Sequence, residues 1–176
     1  METEPRDIAL ALSLPFSEED LEWKISPGGC GYQRDGVKIY AKVLTYVTNR
    51  AIQDRLDLVL GVGNWKCRYR ELQSGSFLCG ISLRIEGEWV EKWDGADKTD
   101  IEATKGGISN ASKRTGSVWG IGRYLYDLPD QWANVGTSND YVNFKYAGKF
   151  FKDKKTKNDP VYFRWNPPKL LKKFLP

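Results

Sequence analysis

Histidine is absent from the 176 residues. That removes imidazole as general base, proton shuttle and metal ligand, and with it most hydrolase triads and zinc hydrolase sites. Any catalysis would fall to carboxylates, lysines or tyrosines. Cysteine is scarce. Cys30, Cys67 and Cys79 are an odd number with no CxxC pair and no secretion-type leader, so neither a disulfide framework nor a zinc site is expected. No apolar run approaches the roughly 20 residues of a membrane span. The opening METEPRDIALALSLPF is acidic before its short apolar run, unlike a signal peptide, and the expectation is a cytoplasmic protein. Nucleotide-binding glycine motifs are missing too: Gly61-Val62-Gly63 and Gly120-Ile121-Gly122 do not complete GxGxxG, and no P-loop occurs.

What remains has a globular composition, 40% hydrophobic and 28% charged, at a length that suits one domain. The net charge of +4 hides an asymmetry. Residues 144–176 hold ten Lys/Arg against Asp153 and Asp159, whereas the other 143 residues carry 17 cations and 21 acids. The basic tail interleaves Phe144, Tyr146, Phe150, Phe151, Tyr162, Phe163 and Trp165 with its lysines. Cations neutralise phosphate and flat rings stack on unpaired bases, so the mixture suits nucleic acid. The alternative is a solvated strand pair and a proline-bounded arm with its aromatics packed on the domain.

Patterning predicts the elements. Leu21–Ile25 reads as a strand, broken by Gly28, Gly29 and Gly31 into a loop. Tyr40 to Leu60 has helical periodicity, with Leu44, Val47, Ala51 and Leu58 on one side, ended by Gly61 and Gly63. From Trp65, Trp65, Cys67 and Tyr69 alternate with Lys66, Arg68 and Arg70, a half-buried strand with one basic face. Phe77–Ile85 and Glu88–Trp93 follow, joined at Glu86-Gly87, with another tight turn at Gln73 to Gly75. A second helix, for which Asp100 is a candidate cap, carries Ile101, Thr104, Ile108, Ala111, Thr115 and Val118 at three-four spacing. The expected fold is α+β: an antiparallel three-to-four-stranded sheet packed against two main helices, in the order β-α-β-β-β-α. Residues 1–135 form its core, and residues 136–176 a basic, aromatic-rich extension packed on or continuing that core.

Several outward-facing groups are candidates for binding. Tyr46 falls opposite the apolar arc of the first helix with Arg50 one turn later, a possible base platform or simply a surface tyrosine beside a cation. On the second helix Lys113 projects away from the apolar stripe, Arg114 flanks it, and Lys105 and Arg123 lie on the other polar edge. This basic face would meet Lys66, Arg68 and Arg70 across a groove that follows a phosphate backbone. The competing reading is a solvated helix paired to Glu102 and other acids. Asp94, Asp97, Asp100 and Glu102 form the one acidic cluster suited to a hard cation, but DGADKTDIE lacks the glycine and glutamate of an EF-hand, so a loop-and-cap role is expected and neither a metal nor another cofactor.

AIQDRLDLVLGVGNW (Ala51–Trp65), the strand meander and SKRTGSVWGIGRYLYDLP (Ser112–Pro129), in this order, resemble the DdrA family of bacterial and phage proteins, distant relatives of the eukaryotic single-strand annealing protein Rad52. The resemblance covers approximately Leu14 to Trp132, and the closing PPKLLKKFLP also looks like the proline-bounded end of DdrA-type domains. It implies a ring-forming homo-oligomer, of about ten or more subunits under closed symmetry, whose basic groove holds one DNA strand with its bases presented for pairing. A basic residue after the first strand, an aromatic in the first helix and a Lys-Arg pair in the second line the family's DNA site, matched here by Lys24, Tyr46 and Lys113-Arg114. A further arginine of the eukaryotic relatives is matched by Ser117. The implied partners are single-stranded DNA, further copies of the chain, and a recombinase or single-strand-binding protein. The long extension by which the eukaryotic protein recruits its recombinase has no counterpart in these residues.

Four functions compete: a strand-annealing protein of recombination or repair, in the cytoplasm and nucleoid of a bacterial or phage-infected cell; an end-protecting binder that does not anneal; a Mg²⁺-dependent nuclease built on Asp94 to Glu102; and a protein-interaction module with a solubilising tail. The first is expected, and it needs no catalytic residue.

Overall fold

The computed structural model describes residues 4–97, 103–136, 142–153 and 155–176. They fall into two compact units, one of residues 1–22, 46–127 and 172–176 and one of residues 23–45 and 128–171.

The first unit holds α1 (Pro5–Ser13), α2 (Asn49–Leu60), the strands β3 (Trp65–Glu71), β4 (Phe77–Ile85) and β5 (Glu88–Ala96), and α3 (Ala103–Val118). The strands form an antiparallel sheet in chain order, with Cys67 opposite Ile81 and Ile81 opposite Lys92. The β4–β5 connection is the two-residue turn expected from the sequence. Glu86 and Gly87 both have positive φ, 50° and 83°, the conformation whose twist matches the flanking strands and which glycine adopts without strain. α3 lies on one face of this sheet, over buried Cys79, Ile81 and Leu83. Small residues make the approach close: Ala111 and Thr115 are fully buried, and the Thr115 hydroxyl reaches the carbonyl oxygens of Cys79 at 2.9 Å and Ala111 at 2.8 Å. The buried stripe of α3 runs through Gly107, Ala111 and Thr115 and continues to Trp119 just past the helix, and Thr104 is exposed. Asp100, expected as the cap, lies outside the described residues, as does Glu102.

The helix expected from Tyr40 to Leu60 is two elements. Residues 39–47 form β2 (Ile39–Val47), and α2 begins only at Asn49. The period is two: Ala41, Val43, Thr45 and Val47 are buried and their neighbours less so, in a run rich in β-branched and aromatic residues. Thr48 marks the switch. Its extended backbone and its side chain, which accepts from the Ala51 N–H at 3.2 Å, are an N-cap. Ala51, Ile52 and Leu56 are buried on α2, whereas Leu58 is 82% exposed and does not belong to the apolar arc.

The second unit contains two antiparallel three-stranded sheets. One pairs β1 (Leu21–Tyr32) with β2 and β6 (Gln131–Trp132); the other is ordered β7 (Asn134–Gly136), β9 (Asn158–Asn166), β8 (Tyr146–Asp153). The glycines at 28, 29 and 31, expected to open a loop, lie inside β1. Gly31 allows the close approach there, since a Cβ would sit 3.1 Å from the Tyr40 hydroxyl. Cys30, Ala41 and Val43 from the first sheet share a core with Phe150, Phe163 and Trp165 from the second, and Tyr146 stacks on Trp165 at 4.7 Å. These tail aromatics are core residues; Tyr162 is the exposed one.

Candidate nucleic-acid interface

Within the first unit two cationic surfaces lie on opposite sides of the β3–β5 sheet. The helix side is organised by α3. Lys113 and Arg114 are consecutive and point differently: the Lys113 side chain is 13% exposed and ion-paired to Glu22, whereas Arg114 is 56% exposed and donates from Nε to Asp94 at 3.2 Å. Lys113 therefore does not project into solvent as the helical wheel suggested, because the chain around Glu22 closes over it. Its Nζ lies 6.0 Å from the centroid of the Tyr46 ring. Tyr46 is half-buried at the end of β2, and burial, then the neighbouring Tyr126 and Glu22, push its phenol above the ordinary tyrosine value. Tyr126 is 67% exposed. The fold thus gathers Tyr46, Tyr126, Lys113 and Glu22, drawn from β2, the turn after α3, α3 and β1, while a separate Arg114–Asp94 pair ties α3 to β5.

Tyr46 and Arg50 are not one turn apart on a helix: Tyr46 closes a strand, and Arg50 stands exposed in the first turn of α2. Lys105 is exposed near the start of α3. Ser117 bonds its own helix, donating to the Arg114 carbonyl at 2.7 Å. Arg123 is past the helix and caps it, donating to the carbonyls of Ser117 and Val118 at 2.7 and 2.6 Å. Lys24 is exposed on β1 in the second unit.

The other surface is the sheet face turned away from α3. Lys66, Arg68 and Arg70 share it, as alternate residues must, with Arg84, Trp89, Glu91 and Trp93 from β4 and β5. The Lys66 Nζ is 3.9 Å from the Trp89 ring centroid and the Arg70 Cζ 5.6 Å from that of Trp93, both rings exposed. Gly80, between Arg68 and Trp93 in register, makes room: a Cβ there would stand 2.5 Å from the indole. Glu91 accepts from Ser82 and from the Trp93 indole, each at 2.8 Å, and these bonds, with Arg68 and Lys66 nearby, hold its carboxyl below the usual range. Because the sheet separates this face from α3, the strand cations and the helix cations do not line one groove, correcting that expectation.

The two described members of the acidic cluster, Asp94 and Asp97, have partners of their own. Asp94 holds Arg114 and the Gly95 N–H, and Asp97 accepts from Ser76 at 2.8 Å. Among the described residues no group of three or more candidate ligands assembles, and no helix is long and apolar enough to cross a membrane.

Sequence reasoning missed Tyr126, Glu22 and the Trp89–Trp93 pair. Alternation along β5 was the available signal for the tryptophans, since it places both on the side of Lys66, Arg68 and Arg70. Nothing local joins Tyr46 to Tyr126 or Glu22 to Lys113.

Comparison with known proteins adds a family to this geometry. A family model described as the Rad52/22 family double-strand break repair protein matches residues 4–144. Over 130 residues the chain is 35% identical to the single-stranded DNA-binding protein DdrA of Deinococcus radiodurans, covering 73% of this chain and 59% of that protein. Over 128 residues it is 34% identical to the DdrA of Deinococcus deserti, covering 72% and 60%. The chain spans about three fifths of the length of these curated relatives.

Proposed function

Since the chain belongs to the Rad52/22 family of double-strand break repair proteins, we propose that it binds single-stranded DNA and anneals complementary strands without a covalent step. The observation that carries this reading is the gathering of Tyr46, Tyr126 and Lys113 in one unit, with Arg114 the next residue on α3, at positions where the resemblance expects an aromatic and a Lys-Arg pair. The exposed Tyr126 ring, with the open edge of Tyr46, offers a stacking surface for bases, and Arg114 and Lys113 meet the phosphates. The acids Glu22 and Asp94 keep these cations in place before DNA arrives.

Complementary strands are slowed by mutual repulsion and by internal hairpins. A cationic array that neutralises phosphate and extends each strand reduces both obstacles. One such site is weak. A closed homo-oligomer, the ring that the resemblance implies, supplies the avidity. The sheet face of Lys66, Arg68 and Arg70, which carries one carboxylate among its cations, adds phosphate attraction on the opposite side.

A second reading is a binder that protects DNA ends and does not anneal, favoured by the curated relatives being named for single-strand binding alone. The test mixes the protein with a labelled oligonucleotide and its complement in Mg²⁺, with native and denaturing gels run on the same sample. Faster duplex formation at unchanged strand length supports annealing. Binding without acceleration supports the second reading, and shortened strands overturn both in favour of a nuclease.

A further inference from the structure

Cys67 on β3 and Cys79 on β4 lie on the α3-facing side of the sheet. In the register Cys67 is opposite Ile81 and Cys79 opposite Tyr69, so the two are diagonal neighbours, and their sulfurs are 3.3 Å apart. Cys79 is fully buried and Cys67 half-buried. Cys30 belongs to the other unit, its sulfur against the Lys149 carbonyl at 3.8 Å. Neither Cys67 nor Cys79 is part of the interface described above.

We propose that Cys67 and Cys79 form a peroxide-oxidisable dithiol, a modification site in which Cys67 is the attacking sulfur and Cys79 the resolving one. The Cys67 thiolate attacks one oxygen of hydrogen peroxide, the O–O bond breaks, and hydroxide leaves, giving Cys67 sulfenic acid. The Cys79 sulfur then attacks the Cys67 sulfur, the S–O bond breaks, and the oxygen departs as water with the Cys79 proton. Two thiols and one peroxide become one disulfide and two waters. A disulfide bond is about 2.05 Å long, so the sulfurs must approach by about 1.3 Å, within reach of side-chain rotation and a small strand adjustment.

Access and electrostatics assign the roles. Only Cys67 has exposed surface for peroxide to meet. The hydrogen bond from Cys79, assisted by Tyr69 and opposed by burial, holds the Cys67 thiol down at about 7, and the same contact together with burial pushes Cys79 up. At pH 7 that shift from 9 raises the Cys67 thiolate fraction about fifty-fold, and the accompanying loss of nucleophilicity offsets it about eightfold, leaving a net gain of about sixfold. The bond would tie β3 to β4 beneath α3, where the Cys79 carbonyl accepts the Thr115 hydroxyl one residue beyond Arg114.

The test treats the full chain with hydrogen peroxide, blocks remaining thiols by alkylation under denaturing conditions, and maps the peptides by mass. The expected product has lost two hydrogens, retains one alkylatable thiol at Cys30, contains a peptide joining Cys67 to Cys79, and is reversed by dithiothreitol. Cys67 should react about sixfold faster than an unperturbed thiol. In Cys79→Ser the sulfenic acid should persist at Cys67 and be trapped by dimedone. Oxygen addition without a cross-link, an intermolecular disulfide, or first reaction at Cys30 in the wild-type chain would each overturn the proposal, and none of these readings requires a variant to fold or DNA to bind.

Discussion

Replacing Glu22 with Gln should strengthen single-strand binding, although it removes an ion pair. In the free protein the Lys113 ammonium is paired with the Glu22 carboxylate, with side-chain exposures of 13% and 33%, so its charge is largely cancelled before DNA arrives. Gln keeps the size and an oxygen that accepts the Lys113 hydrogen bond, and it deletes the negative charge. A unit charge 4 Å away is worth about 1 kcal/mol in water and about 4 kcal/mol at the dielectric of a protein surface. The lower figure suits a partly exposed pair, which puts the gain at roughly fivefold in affinity. One more uncompensated cation also steepens the dependence of log K on log salt by up to about 0.7. Fluorescence anisotropy of a labelled oligothymidine across a salt series measures both quantities, and a melting curve checks the fold. Lys113→Ala should move both the other way. Unchanged affinity and slope in a folded Glu22→Gln protein would refute the placement of phosphate at Lys113.

Further outcomes follow from other contacts. Gly80→Val places side-chain atoms where the Trp93 ring lies, 2.5 Å from even a Cβ, and should cost about 1–3 kcal/mol in urea unfolding, with increased exposure of the indole in fluorescence. Arg55→Ala removes a guanidinium that donates to the carbonyls of Ala11, Leu14 and Pro15 at 2.8–3.1 Å and lies 4.0 Å from the Phe16 ring centroid; loss of about 2–3 kcal/mol, with earlier hydrogen exchange in α1, is expected. Because the Cys79 hydrogen bond is the largest cause of the lowered Cys67 value, alkylation of Cys67 should be half-maximal near pH 7, and Cys79→Ala should move that midpoint upward toward the ordinary thiol value of 9. Changing Lys66, Arg68 and Arg70 together to Gln should flatten the salt dependence by about 2 if all three meet phosphate, at about 0.7 each.

The β3–β4–β5 meander was legible because alternation and turn residues are local signals, and the register sets Cys67 and Ile81 on one face and Arg68 and Gly80 on the other, although burial along β3 falls from its first residues to its last and does not alternate. The stretch from Tyr40 to Leu60 was not, because the apolar residues of a strand and a following helix abut at Val47 and Ala51, and together they imitate one 3.6-residue period. Thr48 was the discriminating residue, an N-cap in the middle of the apparent helix. Lys113 was misjudged for a different reason. A helical wheel places a side chain relative to its own axis, and only the path of the chain through Glu22, 91 residues away, decides whether that direction is solvent.

The motifs that carried the resemblance are themselves structural. Arg55 of QDRLD caps α1, Asp57 accepts the Trp65 indole N–H at 2.6 Å, and Asn64 donates to the Leu60 carbonyl at 2.9 Å, closing the end of α2. In GIGRYLYDLP, Gly122 lies where a Cβ would meet Val47 at 2.4 Å, Arg123 caps α3, and the Tyr124 hydroxyl accepts the Phe16 N–H at 3.0 Å. These residues tie α1, α2 and α3 to their neighbours, so a match in them transmits the scaffold more directly than the proposed DNA contacts. Tyr126 stands two residues beyond Tyr124, and Tyr46 one before Val47. Their juxtaposition beside Lys113 is a consequence of the ties on either side. A substitution that loosens Gly122 or Tyr124 should therefore weaken DNA binding without removing any group that touches DNA, through displacement of the tyrosine pair. Restoration of affinity by a second change that re-packs Val47 would separate this positioning effect from a direct contact.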